Sequence, residues 1–492
     1  MRLGIDFGTT RTRVARVDRG NYPVVSFTDL NSDAVDHIPS LIARGADGAL
    51  RYGFAALAAH QQSGTPLLRS LKRHFADPAV TADTVIEVGG RPERLADLLA
   101  GFLGHVRQAL LAALPDAADE PLEAMIATPA HAPGVQRFLT LSAFTEAGFT
   151  VLGIVHEPSA AGFEYTHRQP RTLNSRRDQV VVYDLGGGTF DASLIQVAGG
   201  RHEVLDSRGD NRLGGDDFDA ALAGLAAPGV RASPDLLDEC RTVKEAIQPQ
   251  TRRIVVEVDD DLITIPITDV ATAVAPLVDR SIDTMTGLVG DSLNDTSVAG
   301  IYLVGGASGL PQVARQLRDR FGQRIHRSPH PSASTAIGLA IAADPDSGFS
   351  LTERLSRGFG VFREAEGGQR VSFDPILGRE ARVGGPAQTR RYRPQHDIGR
   401  FRFVEYADLD PAGMPTGDIA PFADVVIPFD RALRHAPVSA EAPAHRTGPG
   451  PLMEESYTVD ENGLVEVTIT DLEDGWSLRH SISYPAGEAP AH

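Results

Sequence analysis

Two segments of the sequence place an aspartate just ahead of a glycine turn. The first contains Asp6, Gly8, Thr9 and Thr10, and the second contains Asp184, Gly186, Gly187, Gly188, Thr189 and Asp191. Backbone N–H groups and hydroxyls in such turns can face phosphate oxygens. Two carboxylates can also hold Mg²⁺ through its water shell. A single segment of this kind is usually only a turn, but the pair predicts a clamp on a polyphosphate.

A third glycine-rich segment, residues 303–309, contains Gly305, Gly306 and Ser308. Its glycines would let a nucleoside approach the backbone where a strand ends and a helix starts. The sequence has neither a G-x-x-x-x-G-K-[ST] loop nor a strand-linked G-x-G-x-x-G. This excludes the usual P-loop and dinucleotide-binding folds.

Composition narrows the classes of partner. The 47 Lys and Arg against 65 Asp and Glu give a net charge of −18, so we expect no nucleic-acid partner. The lone cysteine, Cys240, excludes an intramolecular disulfide, and no Cys/His spacing suggests structural zinc. With no export signal and no long apolar window, we expect a cytoplasmic protein without a membrane partner.

Strands and helices must position these groups. Residues 3–7 and 11–17 predict a hairpin around the first turn, and residues 180–183 and 190–197 predict another around the second. Apolar spacing predicts helices over 95–114 and 135–147. Pro276, inside a helical pattern, predicts a kink or a helix start. The repeated opening predicts a duplicated α/β unit around a cleft.

The character of the chain changes near residue 344, where helical periodicity gives way to alternation. The Asn462-Gly463 pair predicts a hairpin because both residues accept positive φ. We therefore predict an α/β domain over 1–344, a linker over 345–357 and a β-rich domain over 358–492.

The ordered glycine segments resemble those of the actin, sugar kinase and heat-shock ATPase superfamily, and among these the heat-shock protein 70 family (DnaK-like chaperones). Further matching segments are residues 71–73, 128–130, 156–161 and 213–219. The resemblance implies a two-lobed actin-like ATPase domain, a duplicated ribonuclease-H-like fold, followed by a C-terminal β-sandwich domain. The β-domain match is thinner and centres on residues 459–467.

The resemblance also implies site roles and cofactors, namely ATP or ADP with Mg²⁺. Asp6 and Asp184 would hold Mg²⁺ through water, Lys72 would reach the γ-phosphate, and Glu157 and Asp191 would position the attacking water or metal-bound waters. Phosphate and nucleotide contacts would come from Gly8, Thr9, Thr10, Gly186, Gly187, Gly188, Thr189, Gly214, Gly215, Arg241, Lys244, Gly305, Gly306 and Ser308.

The base pocket departs from the family pattern. The family's stacking arginine is Gly309 here, its ribose aspartate is Ser332, and two adenine contacts are Arg241 and Gln248. This puts adenine selectivity in question, and Arg241 is a candidate replacement for the missing stacking cation. The linker lacks consecutive leucines, and a chain that stops at His492 would lack a helical lid, so we expect bound peptides to exchange quickly.

These observations predict a slow ATPase of the heat-shock protein 70 type that couples hydrolysis to polypeptide binding. Its partners would be unfolded polypeptides or a dedicated client, with J-domain and exchange-factor proteins. One alternative is a pseudo-chaperone or scaffold that binds ATP with little hydrolysis and docks a dedicated partner. A second is a small-molecule kinase of the same superfamily, against which the large β-domain argues.

Overall fold

The computed structural model describes residues 1–77, 80–81, 83–117, 120–169, 172–259, 261–289, 297–365, 370–435, 438–439 and 442–481. The chain divides into two units. Unit 1 comprises Met1–Ala76, Val85–His131 and Ser142–Thr352, and unit 2 comprises Asp77–Thr84, Ala132–Leu141 and Glu353–His492. The last division, between Thr352 and Glu353, falls inside the predicted linker.

Unit 1 is a mixed α/β structure, in agreement with the predicted class. Its strands are β1 (Arg2–Phe7), β2 (Arg11–Arg16), β3 (Phe27–Thr28), β4 (Ala34–Val35), β5 (Ile38–Pro39), β6 (Ile42–Arg44), β7 (Leu50–Tyr52), β8 (Leu67–Leu68), β9 (Val85–Val88), β10 (Arg91–Arg94), β11 (Glu123–Thr128), β12 (Thr150–His156), β13 (Gln179–Leu185), β14 (Phe190–Ala198), β15 (Arg201–Asp210), β16 (Arg253–Val258), β17 (Asp261–Pro266), β18 (Val298–Val304), β19 (Ile325–Arg327) and β20 (Ser350–Thr352).

The described helices are α1 (Gly53–Ser63), α2 (Leu95–Ala113), α3 (Gly134–Glu146), α4 (Glu157–Arg168), α5 (Gly215–Ala226), α6 (Pro234–Glu245), α7 (Ile267–Val289), α8 (Pro311–Phe321) and α9 (Ser334–Ala343). The division between the units passes through α3. Helices α2 and α3 confirm the two predicted from apolar spacing. Helix α7 starts at Ile267 and continues through Pro276. Of the two alternatives for that proline, the helix start is therefore wrong and the kink stays a prediction.

Two sheets of unit 1 share one pattern. Their strand orders are β12-β11-β1-β2-β5 and β19-β18-β13-β14-β15-β20. Each contains a predicted antiparallel hairpin, β1 with β2 and β13 with β14, and each adds two parallel strands beside the first strand of that hairpin. Both hairpins are confirmed. Parallel strands present their carboxyl ends at one edge, so Asp6 on β1, Asp184 on β13 and the segment after β18 are candidates for a site there.

Two glycines allow α9 to pack closely on its neighbours. A Cβ on Gly338 would lie 1.8 Å from the carbonyl oxygen of Ala160 in α4, and a Cβ on Gly4 in β1 would lie 2.2 Å from the amide nitrogen of Ala340. Any larger residue would push these backbones apart. The contacts fix α9 against β1, the strand that carries Asp6.

The predicted linker contains a strand of unit 1. In β20, Ser350 pairs with Arg201 and Thr352 pairs with Glu203 of β15, in parallel register. This pairing joins segments about 150 residues apart in the chain. A local composition signal does not reveal such a pairing, since strand partners can come from distant parts of the sequence.

Unit 2 is rich in β-structure, as predicted from residue 358 onward. Its strands are β21 (Gly358–Ala365), β22 (Arg370–Leu377), β23 (Gln388–Tyr392), β24 (Ile398–Leu409), β25 (Pro415–Pro428), β26 (Met453–Val459), β27 (Val465–Asp471) and β28 (Ser477–Ser481). They form two four-stranded sheets, β22-β21-β24-β25 and β23-β26-β27-β28. Alternate residues of β26 and β27 are buried, and they share one apolar core with Phe359 and Phe403 of the other sheet.

The hairpin predicted at Asn462-Gly463 is confirmed as β26 and β27, with Val459 opposite Val465. Gly463 has φ of 74°, whereas Asn462 does not adopt positive φ. Instead, the Asp460 carboxylate accepts the N–H groups of Asn462 at 2.9 Å and Leu464 at 2.7 Å. The loop is therefore longer than the pair alone. In the ranges that the structure describes, no helix has both the length and the apolar character needed to cross a membrane.

Candidate nucleotide-binding site

A cleft of about 880 Å³ lies in unit 1 and is lined by segments from both large sheets. Most of the predicted site residues line it: Asp6, Gly8, Thr9, Thr10, Lys72, Glu157, Asp184, Gly186, Gly187, Thr189, Gly215, Arg241, Lys244, Gly305 and Gly306. Four predicted residues do not line this cleft: Gly188, Asp191, Gly214 and Ser308. The positions that depart from the family pattern, Gln248, Gly309 and Ser332, line it as well.

The two predicted glycine turns lie against each other. A Cβ on Gly187 would be 2.9 Å from Thr10 Cγ2, and a Cβ on Gly188 would be 2.9 Å from Thr9 Cγ2. The N-terminus of α5 also meets the second turn, because the Gly215 N–H donates to the Gly186 carbonyl at 2.9 Å. Only small residues fit at this junction, which brings backbone N–H groups and threonine hydroxyls to one place.

Four carboxylates surround one ammonium group beside these turns. Burial raises the pKa of Asp6 to about 7, with a further contribution from Glu157 that Lys72 and Arg13 partly offset. Burial and the neighbouring carboxylates also raise the pKa values of Asp184 and Asp191 well above the usual range. The cluster therefore carries unbalanced negative charge when ionised.

Lys72 lies on a 3-10 segment, Leu71–Ala76, and is 5% exposed. Its Nζ donates to the Phe7 carbonyl at 2.8 Å and forms an ion pair with Glu157. Burial alone would lower the pKa of Lys72, but Glu157 and Asp6 outweigh it and hold the pKa above its usual value. The ammonium group is thus charged and fixed next to the end of β1.

The third glycine segment follows β18. Gly305 has φ of 82°, and a Cβ there would lie 2.4 Å from Asp184 Oδ1. Glycine is needed here both for the backbone conformation and for room beside the carboxylate. The buried Ser308 hydroxyl donates to the Gly305 carbonyl at 2.7 Å. Ser308 therefore stabilises the turn, while Ala307 and Gly309 line the cleft.

Helix α6 adds two cations to the cleft, and α5 supplies carboxylates that pair with them. Lys244 Nζ donates to the Gly215 carbonyl at 2.7 Å and pairs with Asp219 at 2.6 Å. Arg241 pairs with Asp216 and Asp219, both at 3.2 Å, and with Asp238 at 3.5 Å. Three carboxylates thus hold the guanidinium of Arg241. Its predicted base contact stays a prediction.

Sequence reasoning missed several arginines of the cleft and its surroundings. Arg73 pairs with Asp217 at 2.7 Å and donates to the Gly188 carbonyl at 3.3 Å. Arg11 pairs with Glu245 at 2.5 Å. These partners are far apart in the chain, so no local pattern indicates the pairing.

A compositional signal for the site was available in the sequence. The chain contains two lysines, Lys72 and Lys244, and every other Lys or Arg position is arginine. Both lysines are buried, and both line the cleft. The two lysines of an otherwise arginine-based chain therefore point to the cleft, since a compact ammonium group and a larger planar guanidinium are not interchangeable.

The donor set suits a hydrated divalent cation. The structure gives Asp6 and Asp184 no direct hydrogen bond or ion pair with a described residue, although both are largely buried. Among the described residues, no group of three or more His, Cys, Asp or Glu side chains could hold a metal ion directly. Unpaired buried carboxylates of this kind fit binding through the water shell, which Mg²⁺ usually keeps.

The chain is similar to known proteins over much of its length. A family model described as Hsp70 protein matches residues 2–355. The Chaperone protein HscA homolog of Methylobacillus flagellatus is 31% identical over 375 residues, covering 70% of this chain and 57% of that protein. The corresponding protein of Burkholderia multivorans is 32% identical over 375 residues, covering 70% of this chain and 58% of that protein.

The chain spans less than two thirds of the length of these relatives, 57% and 58% of the two proteins. Every residue that lines the cleft lies within the range matched by the family model. On the extent of that match, the chain belongs to the Hsp70 family.

Proposed function

We propose that unit 1 binds Mg-ATP in the cleft and hydrolyses it to ADP and phosphate, and that this cycle regulates polypeptide binding by unit 2. The observation that carries the proposal is the position of Asp6 and Asp184. They lie at the ends of β1 and β13, line one cleft and flank two touching glycine turns. A duplicated ribonuclease-H-like, actin-like fold accounts for the repeated sheet pattern.

In this proposal the phosphates bind at the two turns. The backbone N–H groups there, with the hydroxyls of Thr9, Thr10 and Thr189, face phosphate oxygens. Asp6 and Asp184 would hold Mg²⁺ through its water shell. Mg²⁺, when bound, neutralises charge on the phosphates during transfer. The cleft thus supplies positioning and charge, which phosphoryl transfer needs more than covalent catalysis.

We assign two further carboxylates, Glu157 and Asp191, to positioning the attacking water or metal-bound waters. Glu157 lines the cleft and is held by Lys72. Asp191 is 1% exposed, and its Oδ1 accepts the His131 N–H at 3.3 Å. Asp191 does not line the cleft, so we assign it to orienting water from a position behind the residues that do. We assign Lys72 to contact with the γ-phosphate.

Two other observations support the polypeptide-binding part of the proposal. Unit 2 consists of two β-sheets around one core, and the relatives carry the name chaperone. We propose unfolded polypeptides or a dedicated client as ligands, with J-domain and exchange-factor proteins as partners, acting in the cytoplasm.

Single-turnover hydrolysis of labelled Mg-ATP by excess protein tests the proposal. We expect slow hydrolysis that an unfolded polypeptide accelerates, and that Lys72→Ala and Asp184→Ala abolish. Asp47→Ala, which removes an exposed carboxylate outside the cleft, is the control and should match the wild type.

Three other results would change the conclusion. Bound ATP that stays unhydrolysed would favour the pseudo-chaperone or scaffold, in which the nucleotide is a structural ligand. No binding of Mg-ATP at millimolar concentration would contradict any nucleotide-dependent function. Hydrolysis that polypeptide does not accelerate would support the ATPase part of the proposal and contradict its coupling to polypeptide binding.

A further inference from the structure

The side chain of Arg327 lies beside Gly309 in the cleft. A Cβ on Gly309 would be 3.1 Å from Arg327 Nη2, closer than most real Cβ contacts. Both residues line the cleft, and so do Leu310 and Pro311, which follow Gly309. The guanidinium of Arg327 thus occupies space that a side chain at position 309 would take.

The backbone of Arg327 is well fixed. Arg327 ends β19 and is paired with Leu303 of β18 in parallel register. The next residue, Ser328, is buried. Its N–H donates to the Leu303 carbonyl at 3.1 Å, and its hydroxyl donates to Glu164 Oε2 at 3.2 Å. Strand and hydrogen bonds therefore hold the Cα of Arg327 next to the strand that leads into Gly305, while its side chain extends toward Gly309.

The guanidinium is available for a ligand. Arg241 and Arg11, which line the same cleft, form ion pairs. Arg327 is exposed, and in the described part of the chain its side chain has no hydrogen bond or ion pair. Arg315 and Arg318 line the same cleft and likewise form no ion pair with a described residue, so Arg327 is distinguished by its position beside Gly309.

Among its described lining residues, the cleft offers a base the guanidiniums of several arginines and no aromatic ring. None of the described residues that line it is aromatic. A nucleobase placed there cannot stack on a ring, so a planar guanidinium is the partner that can cover its face. The neighbouring Leu310 and Pro311 add apolar surface, which suits the flat base better than it suits a phosphate.

We propose that Arg327 stacks on the base of the bound nucleotide and supplies the cation that is absent at Gly309. This rests on the proposed function, since it requires a nucleotide in the cleft. Gly309 then has a definite role, which is to leave room for the guanidinium that arrives from β19. The contact strengthens binding of the nucleoside part and leaves binding of the phosphates unchanged.

Isothermal titration of the full chain with Mg-ADP and with inorganic pyrophosphate tests this proposal. We expect Arg327→Ala to weaken Mg-ADP binding about 2- to 30-fold, as expected for loss of a cation–π contact. Pyrophosphate affinity should change less than about 2-fold, because pyrophosphate has no base. Arg327→Lys should lose less Mg-ADP affinity than Arg327→Ala, because it keeps the cation but not the planar fork.

Arg320→Ala is the matched control, since Arg320 is exposed on α8 and does not line the cleft. An unchanged Mg-ADP affinity in Arg327→Ala would overturn the proposal. An equal loss for both ligands would also overturn it, because Arg327 would then act on the phosphates. If the wild type binds neither ligand, the proposed function itself fails, so the two failures are distinct.

Discussion

At the scale of single residues, the cleft concentrates charge that the fold does not neutralise. Lys72 is the one ammonium close to Asp6, Glu157, Asp184 and Asp191 in the described chain. Keeping several carboxylates in a buried place costs stability in the empty protein. Such a cost is typical of a binding site, where the ligand supplies the missing charge.

Removal of one partner from the buried Lys72–Glu157 pair should destabilise the folded protein. We expect Lys72→Met to lower the free energy of unfolding by about 3–5 kcal/mol, because Glu157 is left as an unpaired buried charge. The double variant Lys72→Met/Glu157→Gln should recover much of that loss. Urea unfolding of the nucleotide-free protein measures both values.

Arg51→Met gives the matched control for this prediction, because Arg51 forms an exposed ion pair with Asp47. Its effect should stay below about 1 kcal/mol. Additive losses in the double variant would show that Lys72 and Glu157 do not stabilise each other.

The raised pKa of Asp6, about 7 against an ordinary 3.8, gives a pH dependence of known sign. Between these two values the folded protein holds a proton that the unfolded chain has released. The contribution of Asp6 to stability is therefore largest at low pH and falls as the pH rises toward 7. Asp184 and Asp191 act in the same direction.

We therefore expect Asp6→Asn, which removes the charge, to raise the melting temperature of the nucleotide-free protein more at pH 8 than at pH 5. Differential scanning calorimetry at both pH values measures the difference from the wild type. Mg-ADP should stabilise the wild type at pH 8 and stabilise Asp6→Asn much less. A difference between the two proteins that stays constant from pH 5 to pH 8 would contradict the assignment.

At the scale of elements, the sequence predicts what local patterns encode. Helix α2 and the two glycine hairpins follow from apolar spacing and turn residues, and the structure has all three. Strand β20 lies where a linker is predicted, since its partner β15 is distant in the chain. Sequence alone also does not show that Ser308 supports the turn without lining the cleft, because side-chain direction depends on the packed backbone.

The contact between α9 and α4 offers a test at this scale. Gly338→Ala would place a Cβ 1.8 Å from a backbone oxygen, which only a shift of one helix can relieve. We expect a loss of at least about 1–3 kcal/mol in the free energy of unfolding. Chemical denaturation of the nucleotide-free protein measures it.

Gly104→Ala is the control for that test. Gly104 also lies inside a helix, α2, but a Cβ there would meet nothing within 4 Å. Alanine should therefore stabilise the protein by about 0.5–1 kcal/mol, through helix propensity. Equal effects of the two substitutions would show that close packing of α9 does not limit residue 338.

At the scale of the whole molecule, the proposed cycle requires that unit 1 open to exchange nucleotide. Ion pairs link the segment after β8 to helices α5 and α6, and each of these three elements also contributes lining residues to the cleft. Arg69 pairs with Asp238, and Arg73 pairs with Asp217. Their partners lie 169 and 144 residues away in the chain, so these pairs fasten parts of unit 1 that no local structure joins.

These pairs should slow nucleotide release. In the proposed cycle a nucleotide beside the touching glycine turns leaves when the cleft opens, and we expect opening to break these ion pairs. We expect Arg69→Ala/Arg73→Ala to raise the dissociation rate of a fluorescent Mg-ADP about 5- to 30-fold, taking about 0.5–1 kcal/mol for each partly buried pair. Stopped-flow displacement by excess ATP measures the rate.

The dependence of the release rate on ionic strength distinguishes loss of the ion pairs from general damage to the site. Added salt screens ion pairs, so it should accelerate release from the wild type and have less effect on the double variant. Arg391→Ala, which breaks an exposed pair with Glu454 in unit 2, is the control and should release nucleotide as the wild type does. The double variant could instead bind nucleotide more slowly and release it at the wild-type rate, which would contradict the prediction. The ion pairs would then control entry to the cleft, and other contacts, such as the glycine turns themselves, would limit its opening.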